Sequence, residues 1–290
     1  MSTVAVTLPD GSRLSAEKGT TIYDIIGQIG AGLQKAAVAA TLNNAPADLG
    51  MPVNEDSTLI VHTFRDETGR DIYWHSTSHM LAQAVMRLYP QAQYTIGPAI
   101  ENGFYYDFDI DINFSPDDLE KIEEEMKKIR SEAHAVQRSV LSRSEAVDFF
   151  AQRGQNYKVE LINEFPDDTV SIYSQGEFAD LCRGPHVQNT ADIKEFKLTK
   201  VAGAYWRGDE KNKMLQRIYG ISFPDKKQLK EYLAMIEEAK ERDHRKIGRE
   251  LSLYDTAQEI GPGLILWTPK GGRIRSTIED FWRREHYRNG

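Results

Sequence analysis

One helix constrains this chain more than any other stretch. Met80, Leu81, Ala84, Val85 and Leu88 recur at the spacing of a helix buried along one stripe, directly after Trp74-His75-Ser76-Thr77-Ser78-His79. His75 and His79 are one turn apart, on the side facing away from that stripe. Two imidazoles at i and i+4 converge on one point, be it a metal, a water or a substrate. A second pair repeats the spacing in Asp180-Leu181-Cys182-Arg183-Gly184-Pro185-His186, where Gly184-Pro185 dictates a turn instead of a helix. Taken singly, a histidine pair on a helix surface arises readily by chance, and a lone cysteine is usually a small buried hydrophobe. A fold that brings both pairs together makes a pocket of three imidazoles and one thiol.

At 290 residues the chain has room for two or more domains with cores of their own. A net charge of −8 excludes wrapping nucleic acid by bulk attraction, although local basic patches can still meet phosphate. The single cysteine makes no internal disulfide, which fits a reducing cytoplasm. No apolar run approaches the roughly 18 residues of a membrane span. Met1-Ser2-Thr3-Val4 lacks the basic start and apolar centre of a signal peptide. The expected location is the cytoplasm, with no membrane partner.

In chain order, Val4 to Leu8 alternates, Pro9-Asp10-Gly11 turns, and Arg13-Leu14 returns as a hairpin. A helix follows from Thr21, with Gly27 and Gly30 stopping it, and Ala37–Leu42 and Thr58–His62 read as strands. This order predicts a small β-grasp module over 1–64. The polar run 66–70 reads as a joint. An α+β body over 65–224 follows, because helices and strands alternate unevenly. Its strands are expected at Tyr94–Ile100, Gly103–Asp109, Tyr157–Ile162, Val170–Ser174 and Phe196–Ala202. Ser115-Pro116-Asp117-Asp118 opens a helix whose Glu123-Glu124-Glu125 reads as a solvated face, and a second helix opens at Ser144-Glu145 and ends at Gly154. A connector helix is expected over 225–245, with Leu229, Leu233, Ile236 and Ala239 on one stripe, and a further segment over 246–290.

The two His/Cys pairs resemble those of threonyl- and alanyl-tRNA synthetase editing domains. Gly97-Pro98-Ala99-Ile100-Glu101-Asn102-Gly103-Phe104-Tyr105-Tyr106-Asp107, Tyr157-Lys158-Val159, Ala204-Tyr205-Trp206-Arg207-Gly208-Asp209 and Met214-Leu215-Gln216-Arg217-Ile218-Tyr219-Gly220 resemble the bacterial threonyl family over the whole chain. The resemblance implies a TGS domain, an editing domain, and the start of a class II catalytic domain. The last would lie at Gly261 to Gly271 and a dimer-interface helix over Ile274–Tyr287. Nothing matches the second and third class II motifs or the catalytic zinc ligands. ATP, Mg and Zn therefore belong to the expected full-length enzyme, a homodimer, and the ligase site is expected to be absent from this stretch.

Serine and threonine differ by one methyl, worth only about 1–3 kcal/mol of discrimination, so a threonine enzyme needs a second, hydrolytic sieve. The resemblance implies hydrolysis of Ser-tRNA(Thr), with tRNA(Thr) and its aminoacylated end as partner. His75 and His186 are candidates to position or activate water. Lys158 offers a cation for the developing charge, and Asp180 a carboxylate for the substrate ammonium. His79, Cys182, Tyr105 and Tyr106 shape the pocket, with one tyrosine facing it and the other the core. Tyr205 and Trp206 are candidates to stack on a base, and Arg207, Lys211, Lys213 and Arg217 to hold phosphate. Each of these has a plainer reading, as aromatic core or solvated charge. The three imidazoles and thiol are also a zinc set, but four protein ligands leave no open position. A nearby Lys158 disfavours a dication, so no metal is expected for editing. A Cys182 nucleophile, a non-catalytic tRNA-binding module and a freestanding trans-editing factor are the alternatives.

Overall fold

The computed structural model describes residues 2–257, 261 and 263–290. The protein is α+β and forms two compact units, one ending at Leu229 and one beginning at Lys230. The first opens with β1 (Thr3–Thr7) and β2 (Arg13–Glu17), the expected hairpin. Helix α1 (Ile22–Ile29) is capped by the Thr21 hydroxyl, which accepts from the amide of Asp24, and it ends at Gly30. Next come α2 (Ala31–Ala36), β3 (Ala37–Leu42), β4 (Ala45–Ala47) and β5 (Ser57–Thr63). The sheet runs β2-β1-β5-β3-β4, with β1 and β5 parallel. Ile22, Ile25 and Ile26 press into it against Val4, Val6 and Leu59. Burying three isoleucines is worth about 1.5–3 kcal/mol each, which makes this helix-on-sheet contact the core of a β-grasp.

The run expected as a joint is instead the first turn of α3 (Glu67–Leu88), where Asp66 accepts from the amides of Thr63 and Gly69. The one-sided stripe is also corrected. From Tyr73 to Val85 nearly every side chain of α3 is buried, while Leu88 is exposed. A helix buried all round tolerates polar residues only when each is paired. Ser76 and Thr77 donate back to the carbonyls of Ile72 and Tyr73, Thr77 also meets the Ser222 hydroxyl, and the Gln83 side chain pairs with Gln175 and Glu177.

Around α3 lie β6 (Gln93–Tyr94), β7 (Ala99–Ile100), β8 (Gly103–Asp109), α4 (Pro116–Glu132), β9 (Val136–Ser142), α5 (Arg143–Ala151) and α6 (Asn156–Glu164). They are followed by β10 (Thr169–Gln175), β11 (Phe178–Leu181), β12 (Glu195–Tyr205) and β13 (Met214–Phe223). One sheet runs β12-β13-β8-β6 with β7 on β8, and a second runs β11-β10-β9. The expected strand over Tyr94–Ile100 is thus two short pieces. That over Tyr157–Ile162 is helix α6, whose spacing turns Lys158 and Ile162 inward and leaves Glu160 outside. Ser115 caps α4 in a reciprocal box with Asp118, as its sequence predicts, whereas α5 is capped by Ser142 with Glu145. Glu123-Glu124-Glu125 is not one solvated face. Glu123 is buried against the amide of Leu198 and the Lys197 ammonium, Glu125 pairs with Arg87 and Lys128, and Glu124 alone of the three is exposed.

Helix α7 (Lys226–Glu241) is followed by α8 (His244–Glu250), β14 (Tyr254–Asp255), β15 (Leu266–Trp267) and α9 (Pro269–Asn289). The connector helix expected over 225–245 is α7, which ends at Glu241, and Asp243 then caps the separate α8. Helix α9 contains the expected Ile274–Tyr287 helix. Met1 of the expected signal-free start and Pro262 of the Gly261–Gly271 string lie outside the described residues. Among the described residues no helix is long and apolar enough to cross a membrane.

Candidate active site

Helix α3 and the loop after β11 bring the two pairs together: one ligand atom from each of His75, His79, Cys182 and His186 lies within 4.8 Å of the others. The imidazole centroids stand 4.3 to 4.7 Å apart. His75 Nδ1 is 2.8 Å from the carbonyl of Gly97, so that nitrogen carries the proton. Its Nε2 then presents a lone pair to Cys182 Sγ at 3.0 Å. The Ser76 hydroxyl donates to Ile72 and accepts from the amide of Val187, which leaves it to accept from His186 Nδ1 at 3.0 Å. His186 Nε2 therefore also turns a lone pair toward the sulfur, at 3.2 Å. One thiol proton faces two imidazole acceptors.

Two glycines make this approach feasible. A Cβ on Gly97 would stand 2.1 Å from the Tyr106 ring, so no larger residue brings that carbonyl to His75. Gly184 has φ +69°, and a Cβ there would meet the Tyr173 hydroxyl at 1.9 Å.

Beside the cluster, Lys158 and Asp180 form a buried ion pair, Nζ to Oδ1 at 2.5 Å, in a contact too poorly aligned to count as a hydrogen bond. Lys158 also donates to the Thr95 carbonyl and, at 3.3 Å, to Tyr106. The Tyr106 phenol donates to Asp180 Oδ2 at 2.5 Å, and His79 Nε2 lies 3.4 Å from the same oxygen. Burial lowers the pKa of His75 and, more strongly, those of His79 and His186, so all three imidazoles are neutral near pH 7. Burial likewise pushes the Cys182 thiol up to about 12 and the Tyr106 phenol well above its ordinary value.

A cavity of about 650 Å³ opens onto this group, within the range of small-molecule sites, ~300–1,000 Å³. His75, His79, Cys182, Lys158 and Asp180 line it; His186 sits behind Cys182, outside the wall. Arg138 from β9 and Arg183 also line it. Arg183 stands within the Cys182–His186 string, whereas nothing in the sequence marks Arg138, because β9 has no clear alternation.

Of the two tyrosines, Tyr106 faces the pair and Tyr105 does not. Tyr105 lies on the other face of β8, with the Arg217 guanidinium 3.7 Å over its ring and Tyr219 beside it. The expected RNA-contacting residues fall outside the cavity wall. Trp206 offers no face for stacking, being buried against Tyr157 with its indole nitrogen donating to Glu160. Arg207 pairs with Glu160 and Glu164, Lys213 with Asp109, and Arg217 makes a two-pronged contact with the buried Asp107. Tyr205 and Lys211 are exposed.

The four donors fit a zinc ion. The set is three imidazoles and a thiol, and two of the imidazoles are oriented by oxygen acceptors on Nδ1, as ligating histidines are. The Lys158 ammonium opposes a dication only weakly, since Asp180 offsets its charge. Held by all four, zinc would have a closed shell, and the chemistry it supplies is cross-linking.

The TGS domain model matches residues 4–63, and the model of the "Threonyl and Alanyl tRNA synthetase second additional domain" matches 170–219. The threonine–tRNA ligase of Pelobacter propionicus is 53% identical over 290 residues, which is 100% of this chain and 46% of that protein. That of Acetivibrio thermocellus is 54% identical over 288 residues, 99% of this chain and 45% of that protein, and that of Nitrosococcus oceani 52% over 282, 97% and 44%. The chain spans a little under half the length of these relatives. A match running the length of the chain, with both domain models in order, makes this chain similar throughout to the N-terminal part of threonine–tRNA ligases.

Proposed function

We propose that this chain hydrolyses the ester of mischarged Ser-tRNA(Thr), the proofreading step of a parent enzyme that attaches threonine to tRNA(Thr). The observation that carries the reading is a wall of neutral imidazoles and one thiol facing a cavity beside a buried lysine–carboxylate pair.

Ester hydrolysis needs an oriented water, an acceptor for its proton and stabilisation of the oxyanion. His75 Nε2 is the acceptor at the cavity wall. When the Cys182 proton turns to His186 Nε2, the His75 lone pair is freed for water and the thiol keeps a partner. His186 thus acts from behind, as the alternative acceptor. Lys158 supplies positive charge to the developing oxyanion, with Asp180 and Tyr106 holding its ammonium in place. Asp180 is a cavity-lining carboxylate for the substrate ammonium. Arg138 and Arg183 put positive charge on the cavity wall, suited to the phosphates of the RNA end. A Cys182 nucleophile is disfavoured, because a thiol pushed up to about 12 holds almost no thiolate at neutral pH.

The test is deacylation of Ser-tRNA(Thr) and Thr-tRNA(Thr) by the purified chain. We expect hydrolysis of the seryl ester and little of the threonyl ester. The route uses no metal, so EDTA leaves turnover unchanged, whereas zinc closing on the four donors slows it. Binding of the tRNA with no hydrolysis of either ester would make the chain a binding module instead.

A further inference from the structure

The loop that carries Cys182 and His186 is held by side chains more than by a strand ladder. After the amide of Cys182, which donates to Ser171, the amide of Gly184 donates to Cys182 Sγ and that of Val187 to the Ser76 hydroxyl. The amide of His186 goes to the β-grasp. It donates to Asp48 Oδ1 at 3.0 Å, while Asp48 Oδ2 accepts from the Tyr173 phenol at 2.8 Å. The Tyr173 ring in turn lies 4.5 Å from the His186 imidazole, and its hydroxyl fills the space beside Gly184. One carboxylate from the segment between β4 and β5 therefore grips the loop at its amide and braces the ring packed on its imidazole.

We propose that Asp48 is a positioning residue for the hydrolytic site: the N-terminal β-grasp sets where His186 stands relative to Cys182, and through them the proton arrangement at His75. The domain is then a working part of the site, through a residue that touches neither substrate nor cavity. The functional consequence rests on the hydrolase reading above; the geometric claim does not.

The protein's single cysteine reports on the loop directly. Alkylation of Cys182 by iodoacetamide is to be compared in wild type, Asp48→Ala, Asp48→Asn and Asp56→Ala, beside deacylation kinetics and thermal unfolding. Asp56→Ala removes a different tie of the same domain, the acceptor of the Ala5 amide at 2.7 Å. Asp48→Ala is expected to raise the alkylation rate and lower kcat at unchanged KM, each by about tenfold or more, the scale of one hydrogen bond to a charged group. Asp48→Asn, whose amide oxygen still accepts from His186 and whose amide group donates to Tyr173, recovers most of both. Asp56→Ala lowers the melting temperature but leaves alkylation and kcat within about twofold, as an independent site does. Wild-type alkylation in Asp48→Ala, or equal changes in the two alanine variants, overturns the proposal. If wild type hydrolyses neither ester, the hydrolase reading falls while the alkylation comparison still decides the role of Asp48.

Discussion

Helix α6 carries ion pairs of opposite character on its two sides. Lys158 points inward to Asp180, the two side chains 2% and 3% exposed, whereas Glu160 and Glu164 point outward to Arg207, with exposures of 47%, 53% and 37%. The bond type is the same and the distances are similar. The difference is the medium. A buried pair that loses one partner leaves an uncompensated charge, costing about 3–5 kcal/mol. An exposed pair is screened and is worth about 0–1 kcal/mol. The electrostatic investment of α6 therefore lies on its cavity side, where the chemistry needs a fixed cation.

Four measurements sharpen or break this contrast. Lys158→Met should be the most severe change: deacylation is lost, and stability falls by about 3–5 kcal/mol because Asp180 is stranded. The double variant Lys158→Met/Asp180→Leu should recover most of the stability and none of the activity. A single variant as stable as wild type by denaturant titration would mean that the buried pair matters no more than the exposed one.

Next, His75→Ala should slow deacylation by about 10²–10⁴-fold. Its effect on folding is small, on the order of 1 kcal/mol, because the Gly97 carbonyl keeps the Ser78 hydroxyl and Cys182 keeps His186. A normal single-turnover rate would remove His75 from the mechanism.

The pH dependence follows from the same burial. A depressed imidazole pKa means that the folded state binds fewer protons than the unfolded state, so stability is fully present above the ordinary value of about 6.5 and is lost as pH falls below it. Melting temperature should rise between about pH 5 and pH 7, and the rate should hold to a lower pH than a solvated imidazole allows. A flat melting profile across that window would show that His75, His79 and His186 are not neutralised by burial.

The smallest effect is expected from Arg207→Ala, below about 1 kcal/mol in stability and without effect on the chemical step. A loss of tRNA affinity in this variant, read by filter binding, would restore Arg207 to the RNA surface despite its carboxylate partners.

What the sequence by itself determined was local. The cap at Ser115, the Pro9-Asp10-Gly11 hairpin and the strands Ala37–Leu42 and Gly103–Asp109 follow from turn chemistry and periodicity, which act over a few residues. The His-x-x-x-His and Cys-x-x-x-His spacings were legible for the same reason. The tertiary structure decided the rest. Alternation at Tyr157 to Ile162 reads as a strand, yet the folded chain makes it a helix that buries Lys158 against Asp180 and Tyr106 and Ile162 one turn on. Whether polar residues such as Ser76, Thr77 and Glu123 face water or the interior depends on partners more than 70 residues away, among them His186, Ser222 and the amide of Leu198. Asp48 has no local mark at all. Its partners Tyr173 and His186 lie 125 and 138 residues on, and only the folded chain brings a carboxylate to an amide over that separation.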